Sequence, residues 1–128
     1  MRVLLDTHAF LWFVLNDPQL SPLAKSTIED PANDVLVSPA SYWEIAIKVS
    51  LKKLDLFTTF DEFMQRGIVD NDFGILPIEP RHCDRLTTLS FHHKDPFDRM
   101  LVAQSLVEGI RLVSIDTILD LYGISRLW

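Results

Sequence analysis

Four short apolar runs alternate along this chain with longer stretches that open on helix-start signals, and this alternation constrains the fold more than any other feature. The runs are Arg2 to Asp6 (RVLLD), Asp34 to Ser38 (DVLVS), Phe73 to Ile78 (FGILPI) and Arg111 to Ile115 (RLVSI). Each has the length and the leucine or β-branched content of a buried strand. Between them, Thr7 to Leu15 predicts a helix that stops at Asn16-Asp17-Pro18. Ser21-Pro22 places an N-cap before a proline at the first helical position and opens a helix ending near Pro31; Ser38-Pro39 does the same for a helix running to about Lys53. Helices are also predicted over Thr58/Thr59 to Gly67, over Pro80 to Leu89, and from Asp95-Pro96 to Gly109, a suitable C′ residue. The tail to Trp128 carries no clear pattern. Strands separated by helices imply an α/β fold with a mostly parallel sheet covered on both faces.

The 128 residues suffice for one domain with a real core, expected over 1–128. The single cysteine, Cys83, permits no internal disulfide and fits a reducing compartment. The longest apolar run, Ala9 to Leu15, is far too short to span a bilayer, and no secretory pattern is seen. A cytoplasmic location with no membrane partner is therefore expected. The net charge of −6 is the wrong sign for a protein that holds nucleic acid by charge alone. Either nucleic acid is not a ligand, or some acids are neutralised by a bound species.

In open parallel sheets, sites form beyond the carboxyl ends of the strands. Asp6 ends the first strand and Asp116 follows the last. Glu44 lies about a turn and a half into the helix after the second strand, and Asp98 lies in the first turn of the helix preceding Asp116's strand. These four acids, from distant parts of the chain, have reason to converge. Each also has a plainer role. Asp116 fits a helix N-cap, Asp95 and Asp98 fit the start of their helix, and Glu44 is spaced to pair with Lys48. Glu44 is the harder to dismiss, because it shares a face with Ala40, Ile47 and Leu51, and a lone carboxylate on an apolar face needs a partner.

Two carboxylates about 4 Å apart repel by roughly 4 kcal/mol at an effective dielectric near 20. A converged cluster must therefore stay partly protonated or bind a cation. All-oxygen donors suit Mg²⁺ or Mn²⁺ rather than zinc. Without these four residues, 14 acids face 12 bases, so the acidity resides largely in the candidate site. Carboxylate-held Mg²⁺ suits phosphodiester chemistry. No glycine-rich phosphate loop is present, so nucleoside triphosphate chemistry has no support.

Leu4-Leu5-Asp6-Thr7-His8-Ala9, Ser41-Tyr42-Trp43-Glu44-Ile45-Ala46-Ile47-Lys48, Asp95-Pro96-Phe97-Asp98-Arg99-Met100-Leu101-Val102-Ala103-Gln104 and Leu112-Val113-Ser114-Ile115-Asp116 resemble, in order, the four motif blocks of PIN-domain ribonucleases. More closely, they resemble those of the VapC toxins of bacterial type II toxin–antitoxin modules. The resemblance covers essentially the whole chain. It implies a three-layer PIN-like fold over 1–128, with a short, mostly parallel central sheet, and a Mg²⁺- or Mn²⁺-dependent endoribonuclease. By motif match Asp6, Glu44, Asp98 and Asp116 fall on the family's metal-binding acids, and Thr7 on the hydroxyl beside the first. The third block selects Asp98 over Asp95, which is left as a helix cap. Ser114-Ile115 departs from the Thr-Arg or Thr-Asn that often precedes the fourth acid. The implied reaction is hydrolysis of an RNA phosphodiester, with the acids holding the ions and no histidine required. His82-Cys83 are adjacent and offer no zinc-site spacing.

The resemblance also implies a homodimer and a cognate antitoxin that blocks the acidic site. Phe10-Leu11-Trp12-Phe13 and the trio Phe57, Phe60 and Phe63 hold more apolar surface than a small domain readily hides, and Trp12 is the residue expected at the antitoxin interface. Lys48, Lys52 and Lys53, and His92-His93-Lys94 with Arg99, read as solvated charge or as a phosphate track with aromatics stacking single-stranded bases. Three rivals are weaker. A receiver-type domain wants paired N-terminal acids and a late lysine, and both are missing. An Asp-x-Asp phosphatase is excluded by His8. A PIN-like scaffold that binds RNA or protein without cleavage is disfavoured by four intact acids.

Overall fold

The computed structural model describes all 128 residues, Met1–Trp128. Its centre is β1 (Arg2–Leu5), whose last three residues are fully buried. It is flanked on one side by β2 (Asp34–Val37) and on the other by β4 (Arg111–Val113). The register pairs Leu5 with Val37 and with Val113, so the three strands end level. Two-residue strands close the edges, β3 (Gly74–Ile75) beside β2 and β5 (Arg126–Leu127) beside β4. The sheet order is β3-β2-β1-β4-β5 and every pair is parallel. A sheet covered on both faces explains why its strands read as near-continuous apolar runs.

Alternation along the strands divides the core in two. Val3, Leu5, Val35, Val37, Val113 and Leu127 face one layer, which is filled by α1 (Thr7–Val14), α2 (Pro22–Glu29) and α4 (Phe60–Met64). Leu4 and Leu112 face the other, filled by α5 (Pro80–Thr87) and α6 (Pro96–Glu108). Helix α3 (Pro39–Ser50) belongs to both layers, because Ala40 packs in the second core and Ile45 in the first. It therefore lies across the carboxyl edge of the sheet with Glu44 between the two layers.

The predicted start signals act as expected. Ser21, Ser38 and Asp95 each accept from a backbone N–H of the first turn, and each is followed by proline. Gly109 ends α6 in the left-handed conformation, at φ 63°. Other expectations are corrected. Asp6 is not the last strand residue but the N-cap of α1. The Phe73–Ile78 run pairs only at Gly74–Ile75, because its partner β2 ends at Val37, opposite Ile75, where Ser38 opens α3. The predicted helix to Gly67 stops at Met64 and widens into a π-helical turn, Gln65–Val69. There Gly67 lets the backbone approach Phe10; an added Cβ would lie 2.8 Å from the ring. Helix α3 ends at Ser50, three residues short of Lys53. The unassigned tail forms a 3-10 helix, Thr117–Tyr122, and then β5. No helix is long and apolar enough to cross a membrane.

Candidate active site

The connections from β1 through β2 to β3 step in one direction, and the chain then crosses back to place β4 on β1's free side. The crevice beyond the carboxyl ends of β1 and β4 is thus the topological switch point of the sheet, where ligands bind in open parallel folds. All four sequence-selected acids are on elements that border it.

Asp6 leaves β1 with no intervening loop. Its N–H donates to the Val113 carbonyl at 3.0 Å, and its carboxylate turns back to accept the Ala9 N–H at 2.8 Å. Only 4% of the residue is exposed. Burial pushes this carboxyl above the ordinary 3.8, and the charge of Glu44 adds to the push; hydrogen bonds from Ser114 and the Ala9 N–H, and the nearby His8, oppose it.

Glu44 is buried, and both its oxygens are engaged. The Thr7 hydroxyl donates to Oε1 at 2.7 Å, with Ser41 Oγ 3.2 Å from the same hydroxyl, and Lys48 Nζ lies 2.8 Å from Oε2. The pairing with Lys48 expected from helical spacing is present. It joins a contact to α1 that bridges the two core layers.

Asp95 caps α6 by accepting from the Phe97 and Asp98 N–H groups. Asp98 stands one turn in, its carboxyl pushed up to about 7, first by burial and then by the charges of Asp95 and Asp6; Glu44 adds a little and His93 opposes. Asp116 caps the 3-10 helix through the Ile118 N–H at 3.0 Å, and its own N–H donates to Ser114 Oγ at 3.1 Å. Asp6, Glu44 and Asp98 therefore act on one another electrostatically, and a histidine joins Asp98 to Asp116. His93 Nε2 lies 2.9 Å from Asp116 Oδ2 and 3.3 Å from Asp98 Oδ2.

His93 is the residue that sequence reading misplaced, as part of a phosphate track. Its ring accepts the Asp95 N–H at Nδ1, 3.1 Å away, a contact that residue spacing does not announce. Arg99 is corrected as well. It is only 6% exposed and its guanidinium donates to the carbonyls of Ser90 (2.7 Å) and Leu89 (3.2 Å), with the Phe91 ring 4.0 Å away. It anchors the segment before α6 and is not free to track phosphate. Lys52 and Lys53 are exposed and lie beyond the end of α3. Leu51, expected on the Glu44 face, is exposed. The aromatic trio divides: Phe63 is fully buried, Phe60 is half-buried and Phe57 is 83% exposed.

The donor set fits a hard divalent cation. Asp98 and Asp116, with His93, place donor atoms within 4.8 Å of one another, and Asp6 and Glu44 lie outside that group but act on Asp98 electrostatically; burial with mutual repulsion disfavours the charged form at Asp6 and Asp98. Positive charge at the crevice relieves both penalties.

A model of the PIN domain matches residues 3–124. The chain belongs to the PIN-domain family. Solved structures carry the same fold over nearly all of their length. The VapBC2 structure from Rickettsia felis, bound to a DNA fragment from its promoter, has a chain 15% identical, with a TM-score of 0.73, covering 99% of this chain and 98% of that one. A chain of VapBC-1 from nontypeable Haemophilus influenzae is 14% identical with a TM-score of 0.66, covering 99% and 97%. A chain of FitAcB from Neisseria gonorrhoeae is 18% identical with a TM-score of 0.69, covering 98% and 96%. No curated protein sequence matches. In this PIN domain the five-stranded parallel sheet agrees with the expected fold class.

Proposed function

We propose that this PIN domain is a Mg²⁺- or Mn²⁺-dependent endoribonuclease and the toxin of a type II toxin–antitoxin module, acting in the cytoplasm. The observation that carries the reading is that acids from four chain segments, Asp6 and Glu44 buried and Asp98 and Asp116 half-buried, border the switch point of the sheet. Asp6, Asp98 and Asp116, with Glu44, would hold the cation. When bound, the cation supplies Lewis-acid charge that stabilises a phosphoryl transition state and makes water a better nucleophile. The chain's own groups prepare that site. Thr7 and Lys48 fix the Glu44 carboxylate from opposite sides, the Ala9 N–H and Ser114 fix Asp6, and Asp95 sets the first turn that carries Asp98. In the reaction, a water oxygen bonds to phosphorus and the P–O bond to one ribose breaks. The leaving oxygen takes a proton and the other fragment keeps the phosphate.

Exposed aromatic surface beside the acids supports a nucleic-acid substrate. Trp43, adjacent to Glu44, is 62% exposed and packs edge-on against Phe97, adjacent to Asp98, with ring centroids 5.3 Å apart. A base flanking the bound phosphodiester would stack on this ledge, as unpaired RNA bases do on aromatic side chains. An antitoxin partner is supported by the fold shared with the VapBC and FitAB structures and by a cleft of about 390 Å³ around Trp12 and Phe13. A homodimer completes the assembly. Growth arrest on expression without an antitoxin, relieved by Asp98→Asn, tests the toxin role; equal toxicity of the variant would contradict it.

A further inference from the structure

The loop that carries His93 is held by hydrogen bonds to two neighbouring elements. The His93 N–H donates to Tyr122 Oη at 2.9 Å, and its carbonyl lies 3.5 Å from the Arg99 guanidinium. Arg99 also reaches the Ser90 and Leu89 carbonyls, so the segment before α6 is held to the helix it precedes. The ring is fixed too, and its surroundings determine its tautomer. Nδ1 accepts the Asp95 N–H, so Nδ1 carries no proton. The proton of the neutral ring therefore sits on Nε2, the atom that faces Asp98 and Asp116.

That tautomer decides what the ring can do. His93, Asp98 and Asp116 each offer one donor atom within 4.8 Å of the others, a spacing suited to a metal ion. A histidine that ligates through Nε2 has its proton on Nδ1 and donates it to a carboxylate, a carbonyl or water. Here the Nδ1 partner is itself a donor, so the roles are reversed. We infer that His93 is a positioning residue whose Nε2–H clamps the carboxylates of Asp98 and Asp116, and that it does not ligate the cation they hold. The clamp joins α6 to the segment after β4. Part of the carboxylate repulsion is thereby offset before a cation arrives, and two ligands are held in one geometry. The inference rests on the metal-dependent reading above only for its consequence; the tautomer is a property of the chain by itself.

The test has two arms. In metal-free protein, ¹⁵N-resolved imidazole NMR is expected to show the His93 proton on Nε2. A proton on Nδ1, in the neutral or the charged ring, overturns the inference. In the second arm Mn²⁺ is titrated into wild type, His93→Ala and His93→Gln, with electron-spin-echo detection of nitrogen bound to Mn²⁺. His93→Ala is expected to weaken Mn²⁺ binding about 10-fold, His93→Gln to recover much of it through its amide N–H, and the nitrogen signal to be the same in all three. Unchanged affinity in His93→Ala, or a directly bound nitrogen that this variant removes, overturns the clamp. Thermal unfolding of each variant separates loss of the fold from loss of the clamp. A wild type that binds no Mn²⁺ sinks the metal-dependent reading, while the NMR arm still decides the tautomer.

Discussion

Asp98 carries the sharpest single-residue consequence of the site. Its carboxyl is raised to about 7 from 3.8. The folded chain therefore holds a proton that the unfolded chain has released between those values. By linkage, this group favours folding at low pH, and that contribution is lost as pH rises toward and through 7. In EDTA, the Tm of wild type should fall between pH 5 and pH 8 more steeply than that of Asp98→Asn, and Mn²⁺ should raise Tm more at pH 8 than at pH 5.5. Parallel curves for the two proteins would contradict the burial assigned to Asp98. Arg99 gives a stability prediction. Arg99→Ala strips charged donors from the Leu89 and Ser90 carbonyls and should cost about 3 kcal/mol in urea unfolding. A loss under 1 kcal/mol would show that water replaces the guanidinium. The acids themselves were legible in the sequence, because a carboxylate after Val3-Leu4-Leu5 or within an apolar helix face requires a reason. Arg99 and His93 were not. Their partners are carbonyls, a backbone N–H and acids brought close only by the fold, and no local spacing announces such contacts.

Helix α3 does the most at the scale of elements. It spans the sheet's carboxyl edge, and so presents Glu44 to Thr7 on one side and Trp43 to Phe97 on the other. If the Trp43–Phe97 ledge receives a base, Trp43→Ala should raise KM for single-stranded RNA about 10-fold, consistent with roughly 1–3 kcal/mol per stacked base, and change kcat less. An unchanged KM would remove the ledge from substrate binding. The Ser-Pro and Asp-Pro openings of α2, α3 and α6 were legible because capping is local chemistry. The edge strands were not: β5 contributes two residues whose pairing depends on β4 being adjacent, and β3 stops where its partner β2 ends at Val37. The π-helical turn after α4 answers to a tertiary contact, Gly67 against Phe10, which helix-period reasoning does not see.

At the scale of the whole molecule, the net charge of −6 resides largely in the four crevice acids, without which 14 acids face 12 bases. On the proposed reading, a cation held there offsets part of that charge, and the rest of the surface need not repel RNA. On the proposed reading, the cleft beside half-buried Trp12 would receive the antitoxin. Trp12 packs on Trp128 and His8 and lines the cleft with Phe13 and Leu20. Trp12→Ala should weaken binding of the cognate antitoxin while leaving metal binding unaltered, as calorimetry would show; unchanged antitoxin affinity would exclude Trp12 from the interface. The α/β class and the parallel sheet were legible from the alternation of runs, whereas the choice of partner face was not, since half-buried aromatics serve cores and interfaces alike. RNA cleavage reports on the crevice itself. Purified protein is incubated with a pool of single-stranded RNAs in Mg²⁺ or Mn²⁺, in EDTA, and as the Asp6→Asn variant. Cutting that requires both the metal and Asp6 is the predicted result. Cutting that persists in EDTA or in Asp6→Asn, or a chain that binds no metal at all, would contradict it.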